Sequence, residues 1–494
     1  MGDDYLQPGA VAKWLIKQYI FIAEFKTKTP KLYVYSSDDG TFSEQGADAI
    51  IAKETQIIYG NELTTQKLNN VKVNVLALTA NTKIQLFPAV RELDDGSIAI
   101  NLLNGVLVLN RSSELFLKEH SPQYGFSSVI PIKYDESAKC FGILDFLSSV
   151  AGDDLVLFLS ILESFAFTLT PGYKIHKSIL FLGEHNAGKS TTLNLLRAFL
   201  GENNVQNMTL QRLTYNRFAL DWLSNKLANI SPDLPTRAID DGGVFKAATG
   251  EDVQMIERKG DQTPYELKNA AKMLFSANAL PPSADNTTAY YDRWLILEFK
   301  QHFDGVIDPL PSITKPEELS GLLNILVQYF VPTLLKNRKF LATTDSTYTR
   351  DLYLKNADNV RAFAENCLSY DVEADIPKSD FYEAYSKFCE MYNLIPDSEV
   401  AFWRKLKQIV TYTEHRPERG GPAWIRGQRL SPVDQTQETK KVDPLIRLLD
   451  PKYELYIKFL EKIAKELESV KQDDCTRCTR ITNISLLSAK LNGW

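Results

Sequence analysis

Cysteine is scarce in this chain: its 494 residues include only Cys140, Cys367, Cys389, Cys475 and Cys478. An odd number of scattered cysteines is typical of reduced thiols and does not indicate a disulfide framework. The sequence also lacks an apolar run of the length of a membrane span, and its acidic N-terminus has no signal-peptide apolar region. We therefore expect a cytoplasmic protein with no membrane partner.

An excess of positive charge is missing as well. Lys and Arg number 56 against 62 Asp and Glu, which leaves a net charge of −6. The global charge therefore gives no support for nucleic-acid binding, and any surface of that kind must be local. The 44% hydrophobic and 24% charged residues are those of an ordinary globular protein. The length predicts about three domains.

Changes of pattern along the chain predict four segments: 1–145, 146–345, 346–432 and 433–494. The first contains hairpin patterns, such as the one around Asn104 and Gly105, and is expected to be an α+β domain. The second alternates buried strands with helices, and the third is another mixed unit. The fourth contains an amphipathic helix over 451–470. One face of this helix carries Tyr456, Phe459, Leu460, Ile463 and Leu467.

The stretch GEHNAGKS, from Gly183 to Ser190, matches the phosphate-loop pattern G-x-x-x-x-G-K-[ST] in full. In that pattern backbone N–H groups turn toward the phosphates, Lys189 reaches the β- and γ-phosphates, and the serine hydroxyl is a Mg²⁺ ligand. An apolar strand over 178–182 and a helix over 191–200 flank the loop, which favours ATP binding over a solvated glycine-rich turn. The residues predicted to hold the nucleotide are Gly183, Glu184, His185, Asn186, Ala187, Gly188, Lys189, Ser190 and Thr191.

Two polar residues follow apolar, strand-like stretches downstream of the loop. Asp233 is the candidate for holding Mg²⁺ and the attacking water, while Asp240 and Asp241 suit a solvated loop better. Asn278 stands at the tip of a predicted strand over 273–276, where its carboxamide could orient the attacking water. The alternative for Asn278 is a turn cap, which is common.

Arg293 directly precedes an apolar strand. An arginine offered to the γ-phosphate of a neighbouring subunit would stabilise the charge of the transition state. Taken alone, an arginine in this position is more often part of a surface salt bridge, so its interpretation depends on the other motifs.

These motifs, in this order, resemble the plasmid and phage primase-helicase family of superfamily 3 helicases, which is related to the poxvirus primase-helicase. The resemblance covers roughly residues 30–432 and depends on the segments LYVY, NGVLVLN, HSPQYGFSSVIPIKYD, the phosphate loop, FKAATGEDVQMIERKG, LFSANALPP and DRWLILEF. It implies a multidomain α/β fold: a central AAA+-type P-loop ATPase, an N-terminal α+β domain, and a C-terminal winged helix with a helical tail.

The resemblance also implies roles for the candidate residues. Lys189 and Ser190 would be the Walker A pair, Asp233 the Walker B acid, Asn278 the sensor and Arg293 the arginine finger. Ser190 and Asp233 would then be the Mg²⁺ ligands.

The chain departs from the family pattern at two places. The loop carries His185 and Ala187 where relatives often have Gly and Asn, which alters detail without removing phosphate binding. Asp233 is a single acid where many relatives have two. Whether it binds Mg²⁺, activates water or does both therefore stays open.

The family further implies a hairpin that projects into the channel of a ring. The stretch DVQMIERKGDQTPYEL fits, because two alternating arms surround a turn that carries Arg258 and Lys259. A cation at such a tip can hold a phosphate of single-stranded DNA. Without the family context, the same turn would be interpreted as merely solvated.

A local basic region lies between residues 403 and 430. Its helix and two short strands follow an earlier helix, a pattern that predicts a duplex-binding winged helix. The candidate phosphate contacts on the wing are Arg416, Arg419, Arg426 and Arg429. The alternative is a basic strand pair that contacts other subunits. Cys475 and Cys478 form a single CxxC motif. Structural zinc needs four ligands, and the sequence offers no second pair of ligands to complete such a site.

We therefore predict a replicative DNA helicase of a plasmid, virus or integrated element. Its cofactors would be ATP and Mg²⁺, and its partners single-stranded and duplex DNA, further copies in a hexameric ring, and a primase-polymerase in cis or in trans. The first segment would serve as a collar for oligomerisation. Two alternatives remain: an ATP-switched origin-binding protein that does not unwind DNA, and a P-loop phosphotransferase. Whether the chain is a fragment of a larger primase-helicase stays open.

Overall fold

The computed structural model describes most of the chain between residues 7 and 470. The described residues are 7–25, 30–80, 84–216, 218–234, 242–257, 264–280, 283, 285, 287–305, 307–343, 346–357, 359–391, 394, 396–417, 421–431, 448 and 450–470.

The N-terminal part contains two small sheets. The first packs with three helices, in the order α1 (Pro8–Gln18), β1 (Phe21–Glu24), β2 (Lys31–Ser36), β3 (Thr41–Ser43), α2 (Glu44–Tyr59) and α3 (Thr65–Thr79). The second is antiparallel and consists of β4 (Val90–Glu92), β5 (Ile98–Leu102), β6 (Gly105–Leu109) and β7 (Leu115–Lys118). The hairpin expected around Asn104 and Gly105 is confirmed: Gly105 has φ 144°, and a Cβ there would lie 2.5 Å from the carbonyl oxygen of Lys118.

Two apolar helices, α4 (Phe141–Ala151) and α5 (Leu155–Thr168), connect this region to a parallel sheet. The side chain of Asp154 begins α5 by accepting a hydrogen bond from the backbone N–H of Leu157, at 2.9 Å. Such a cap satisfies one of the free N–H groups at a helix start.

The central sheet has five strands, all parallel, in the spatial order β14-β8-β13-β10-β9. Its elements along the chain are β8 (Ser178–Gly183), α6 (Lys189–Leu200), β9 (Val205–Gln206), α7 (Leu210–Tyr215), β10 (Ala228–Ser231), α8 (Gly243–Ala248), β11 (Val253–Ile256), β12 (Tyr265–Lys268), β13 (Lys272–Ala277), α9 (Thr288–Tyr291) and β14 (Trp294–Phe299). The pair β11 and β12 forms a separate antiparallel hairpin. Because the five strands are parallel, the carboxyl ends of β8, β10 and β13 meet at one edge, and the residue before β14 lies at the other.

After the sheet come α10 (Leu310–Ile313), α11 (Pro316–Ile325) and α12 (Val331–Asn337). A π-helical turn over Leu326–Phe330 joins the last two into one helix over Pro316–Asn337. Contrary to the expectation from the sequence, this helix of 22 residues is long and apolar enough to cross a membrane. However, 78% of its apolar window is buried inside the fold, as in a core helix.

A third unit follows, with its own core around Phe363, Tyr385, Phe388 and Phe402. Its elements are α13 (Ser346–Ala357), α14 (Asn359–Cys367), β15 (Leu368–Pro377), α15 (Lys378–Met391), α16 (Glu399–Ile409), β16 (Thr413–His415) and β17 (Trp424–Leu430). The three strands form an antiparallel sheet in the order β15-β17-β16.

The last described helix, α17 (Glu454–Val470), returns to the central part of the molecule. The Tyr456 ring stacks on Phe330 at 4.6 Å between centroids, and its hydroxyl donates a hydrogen bond to Glu163 at 2.8 Å. The predicted apolar face is confirmed, because Tyr456, Phe459, Leu460 and Ile463 are buried. The side chain of Leu467 and both Cys475 and Cys478 lie outside the described residues.

The three cysteines in the described part of the chain are Cys140, Cys367 and Cys389. All are buried and free, as expected from the composition.

Candidate functional site

The predicted phosphate loop lies between β8 and α6, as the sequence indicated. Gly188 has φ 84° and begins α6, and a Cβ on it would lie 2.9 Å from the Val150 Cγ2 atom. Asn186 also has a positive φ, 61°, and its carbonyl accepts a hydrogen bond from the backbone N–H of Phe303 at 3.0 Å. The loop therefore has a defined shape that glycine at 188 permits and the segment around Phe303 supports.

The other loop residues differ in exposure. Glu184, His185 and Asn186 are exposed, whereas Ala187 is buried. Ser190 is exposed in the first turn of α6, and Thr191 after it is half-buried. The side chain of Ala187 is therefore buried against the protein, while that of His185 is exposed to solvent.

Lys189 is 7% exposed, and its ammonium lies among oxygen acceptors. Its Nζ atom donates to the carbonyls of Gly183 at 2.7 Å and Glu184 at 2.5 Å, and to Asn278 Oδ1 at 3.1 Å. Burial lowers the pKa of Lys189, while the charges of Asp233 and Glu184 act in the opposite direction. The structure thus brings Lys189 and Asn278, which are 89 residues apart, into direct contact.

Asp233 follows β10 at the same edge of the sheet. The segment around it is tied to β13, because the Leu234 N–H donates to the Ser276 carbonyl at 2.9 Å and the Ser276 hydroxyl donates to the carbonyl of Pro232. The predicted acid, the predicted sensor and the loop lysine therefore meet at one place. The rival candidates Asp240 and Asp241 lie outside the described residues.

A cavity of 1280 Å³ lies beside the loop, which is larger than the roughly 300–1,000 Å³ that is usual for ligand pockets. Asn186, Gly188, Ser190 and Thr191 line it from the loop side. The rest of the lining includes residues that the sequence reasoning missed: Asp145, Phe146, Ser149, Asn194, Phe303 and Ile307. Asn194 lies one turn after Ser190 on α6. Tertiary packing brings the other five to the loop, so no local pattern marks them.

The hard oxygen donors required by Mg²⁺ are present at this edge, in the Ser190 hydroxyl and the Asp233 carboxylate. Mg²⁺ binds through one or two protein oxygens plus substrate phosphates and waters, and this donor set fits that habit. Among the described residues there is no group of three or more His, Cys, Asp or Glu side chains that could hold a metal ion by itself.

Arg293 lies at the opposite edge of the sheet from the loop. It directly precedes β14, whose first residue, Trp294, pairs with Ser178 at the beginning of β8. Its buried Nε atom has no hydrogen-bond partner in the described part of the protein. The structure therefore does not bring Arg293 to the loop of its own chain.

A second cavity, of 460 Å³, lies at Arg293. Apart from Asp292, its ionisable lining is basic or histidine: Lys174, His176, Lys177, Arg293, Arg338 and Lys339. The sequence reasoning missed all of these except Arg293, because they come from three separate segments.

The two strands of the hairpin that the family resemblance predicts are present. β11 pairs with β12 in antiparallel register, with Ile256 opposite Tyr265. The Tyr265 hydroxyl, at the end of the strands next to the turn, donates to Asp221 at 2.6 Å and so ties that end of the hairpin to the segment Ala219–Leu223. Arg258 and Lys259, the predicted tip, lie outside the described residues.

The predicted wing arginines have unequal surroundings. Arg416 is exposed, and Arg419 lies outside the described residues. Arg426 forms an ion pair with Asp375, and Arg429 forms one with Asp371. On α16, two exposed cations that the sequence reasoning did not single out are Arg404 and Lys407.

Three families match separate parts of this chain. Residues 12–152 match the family described as D5 N terminal like, and residues 355–429 match Poxvirus D5 protein-like. Residues 181–293, which contain the loop, Asn278 and Arg293, match a family of unknown function, DUF5906. No curated protein matches the chain.

Among solved structures, the chain is similar to the apo A form of the NrS-1 C-terminal region. The identity is 14%, the TM-score is 0.41, and the match covers 85% of this chain and 99% of the other. A second apo structure of the same region, residues 305–718, matches with 14% identity, the same coverage and a TM-score of 0.40.

Proposed function

We propose, on the premise that this chain belongs to the D5-like primase-helicase family, that it is the ATP-driven helicase of a DNA replication system. Members of that family are replication enzymes. The observation that carries the proposal is the division of the site between two edges of one sheet. The loop, Asp233 and Asn278 are at the carboxyl edge, and Arg293 is at the amino edge.

The strand order supports an AAA+-type ATPase. β13 lies between the loop strand β8 and the acid strand β10, so Asn278 at its end is next to both. The Asn278 carboxamide already contacts Lys189, at 3.1 Å. An asparagine in that position can hold an attacking water against the γ-phosphate that Lys189 binds.

Within one subunit, the residues would share the work as follows. Backbone N–H groups of the loop and the start of α6 bind phosphate oxygens. Lys189 leaves the carbonyls of Gly183 and Glu184 for the β- and γ-phosphates, which offer a charged acceptor. Ser190 and Asp233 would hold Mg²⁺, which neutralises charge on the phosphates when bound.

Arg293 would complete the site of a neighbouring subunit. β8 has six residues, and at about 3.3 Å per residue this separates the two edges by roughly 20 Å. No arginine side chain spans that distance, so Arg293 cannot reach the phosphates held by its own loop. Its unpartnered buried Nε and the basic cavity around it suit an anion brought by another chain. This arrangement requires an interface between subunits. A ring would supply it in every subunit, and six subunits are the family expectation.

The DNA contacts would come from two places. The β11–β12 hairpin would carry Lys259 into the channel of the ring and grip single-stranded DNA. The third unit, whose strand order β15-β17-β16 supports the winged-helix proposal, would bind duplex DNA. The N-terminal region would serve as the collar of the ring, and a primase-polymerase would act in cis or in trans, in the cytoplasm.

An ATP-switched origin-binding protein is the second candidate, because a winged helix alone would support duplex binding without unwinding. A strand-displacement assay on a forked duplex separates the two: the helicase unwinds the fork in the presence of ATP, and the switch does not.

The test of the proposed function is the ATPase rate with and without single-stranded DNA, together with the mass of the oligomer. We expect stimulation by DNA and a ring-sized mass. A monomer whose ATP turnover ignores DNA would contradict the proposal and would favour a phosphotransferase.

A further inference from the structure

The arginines of β17 are already bound to carboxylates in the protein alone. Arg426 Nη2 lies 2.8 Å from Asp375 Oδ2, and Arg429 Nη2 lies 2.7 Å from Asp371 Oδ2. Asp375 also contacts the Nε2 atom of His415 on β16, at 2.7 Å. Each arginine therefore has the kind of oxygen partner that a DNA phosphate would offer.

The acidic partners belong to one strand. β15, LSYDVEADIP, carries Asp371, Glu373 and Asp375 and no basic residue, whereas β17, WIRGQRL, carries two arginines and no acid. The register between the strands shifts between Asp371 and Asp375, at an irregularity of β15. The positive charges of the two β17 arginines are thus paired with negative charges on the β15 aspartates.

Exposure decides which group can be displaced. The side chains of Arg426 and Arg429 are 54% and 65% exposed, while those of Asp375 and Asp371 are 27% and 23% exposed. The guanidinium groups therefore remain within reach of an outside anion, while the aspartates behind them stay in the sheet. An exposed ion pair is weak, so a phosphate that arrives with many others can replace it.

The cations on α16 and in the turn after β16 are different. Arg404, Lys407 and Arg416 are exposed, and the described part of the chain shows no ion pair for them. They can meet phosphates directly, without giving up a partner.

We propose that duplex DNA engages β17 by partner exchange: phosphates take Arg426 and Arg429 from Asp375 and Asp371, which occupy the arginines in the free protein. The acidic strand β15 thereby sets the duplex affinity of the third unit, and Arg404, Lys407 and Arg416 make the first contacts. This inference depends on the proposed duplex binding by that unit.

The experiment compares full-length variants for binding to a fluorescently labelled mixed-sequence duplex over a range of salt concentrations. Asp371→Asn/Asp375→Asn keeps the size of both side chains and removes their charge. We expect it to bind the duplex at least about threefold more tightly, because two competing ion pairs are removed. Arg426→Ala/Arg429→Ala should bind more weakly, with a salt slope shallower by about 1.8, or about 0.9 for each lost phosphate contact.

The decisive variant combines all four substitutions. If phosphates exchange with the aspartates, removing the aspartate charges should not raise duplex affinity in a chain that lacks Arg426 and Arg429. The control for net charge is Glu365→Gln/Glu390→Gln, which removes two exposed carboxylates from α14 and α15 and should change affinity less than the aspartate pair does. Asp371→Asn alone is the second variant, since it alters only the Arg429 pair, and the thermal melting temperature reports whether each variant is folded.

Two outcomes would overturn the inference. Duplex affinity that is unchanged or lower in folded Asp371→Asn/Asp375→Asn would mean that the pairs only hold β15 to β17. If the aspartate substitutions still raise duplex affinity in a chain that lacks both arginines, the gain would come from general repulsion between carboxylates and DNA phosphates. A parent chain that does not bind duplex DNA would instead overturn the proposed role of the whole unit, so the two failures are distinguishable.

Discussion

Lys189 is the residue on which the proposed nucleotide site depends. Its ammonium is held by the carbonyls of Gly183 and Glu184 and by Asn278, so it is positioned before any phosphate is present. Because the ammonium is already in position, nucleotide binding would replace its carbonyl and carboxamide partners with more strongly charged phosphate oxygens.

Lys189→Ala is expected to abolish ATP hydrolysis and to weaken nucleotide binding sharply, because none of the other cations described near the loop reaches the same place. The measurement is ATP turnover together with binding of a fluorescent ATP analogue. Lys72→Ala is the matched control, since Lys72 is 40% exposed and belongs to the N-terminal region. Near-normal turnover in Lys189→Ala would show that the loop is not the active site.

Glu163 makes the stability of the protein depend on pH. The side chain is fully buried, and burial raises its pKa to about 8, although hydrogen bonds from the Leu341 N–H and the Tyr456 hydroxyl act in the opposite direction. In the unfolded chain its pKa is near 4.5. Because the folded pKa is the higher one, this group's contribution is complete below pH 4.5 and is lost as the pH rises to about 8.

We therefore expect the free energy of unfolding of the parent to fall between pH 5 and pH 8 by up to about 1.4 kcal/mol per pH unit from this group. Glu163→Gln should lack that slope, whereas Glu365→Gln, at an exposed position of α14, should keep it. Urea denaturation at several pH values is the measurement. Equal slopes in the parent and Glu163→Gln would contradict the assignment.

At the scale of elements, the short-range patterns predicted the local structure well. The sequence predicted β8, the loop and α6 because a buried strand, a glycine pattern and a helix follow one another directly. The hairpin at Gly105 was readable because its turn requires a positive φ. The strands β11 and β12 were predicted from the alternation of apolar and polar residues. Their proposed function came only from the resemblance to a family.

Contacts between distant elements could not be predicted in this way. Asp145 and Phe303 reach the loop only because α4 and the chain after β14 pack against it. The ion pairs of Arg426 and Arg429 depend on the register between β15 and β17, which a shift in β15 alters. Nothing in the local sequence reports that register.

The position of Arg293 before β14 leads to a prediction about pairs of chains. Arg293→Ala should bind ATP but lose about 10³–10⁵ in hydrolysis rate, as for other arginine fingers. If it acts on a neighbour, mixing inactive Arg293→Ala with inactive Lys189→Ala should restore part of the ATPase, because some interfaces then contain both intact residues. The rate is measured across mixing ratios, after co-assembly is verified by mass. No recovery in mixed rings would argue against action between subunits.

At the scale of the whole molecule, the proposed function gives the hairpin the role of connecting ATP turnover to movement of DNA. Lys259→Ala should keep basal hydrolysis and assembly, yet lose stimulation by single-stranded DNA and lose unwinding. Small losses per contact accumulate around a ring that repeats the contact in every subunit. Lys268→Ala is the control on the same hairpin, since Lys268 pairs with Glu251 at its base.

Unwinding of a forked duplex and basal ATPase are compared in one preparation of each variant. Lys259→Arg should be milder than Lys259→Ala because the charge persists. If Lys259→Ala unwinds the fork as fast as the parent, the turn between β11 and β12 is only a solvated turn.

The return of α17 to the central core has a consequence for the third unit. The chain leaves the core at α13 and comes back at α17, where Tyr456 contacts Glu163 and Phe330. The third unit is therefore flanked in the sequence by two helices that pack on the core, as an inserted domain is. If this unit binds duplex DNA as proposed, two chain connections would keep the bound duplex near the proposed ATPase of the same subunit. The proposed ring would then meet that duplex at a high effective concentration.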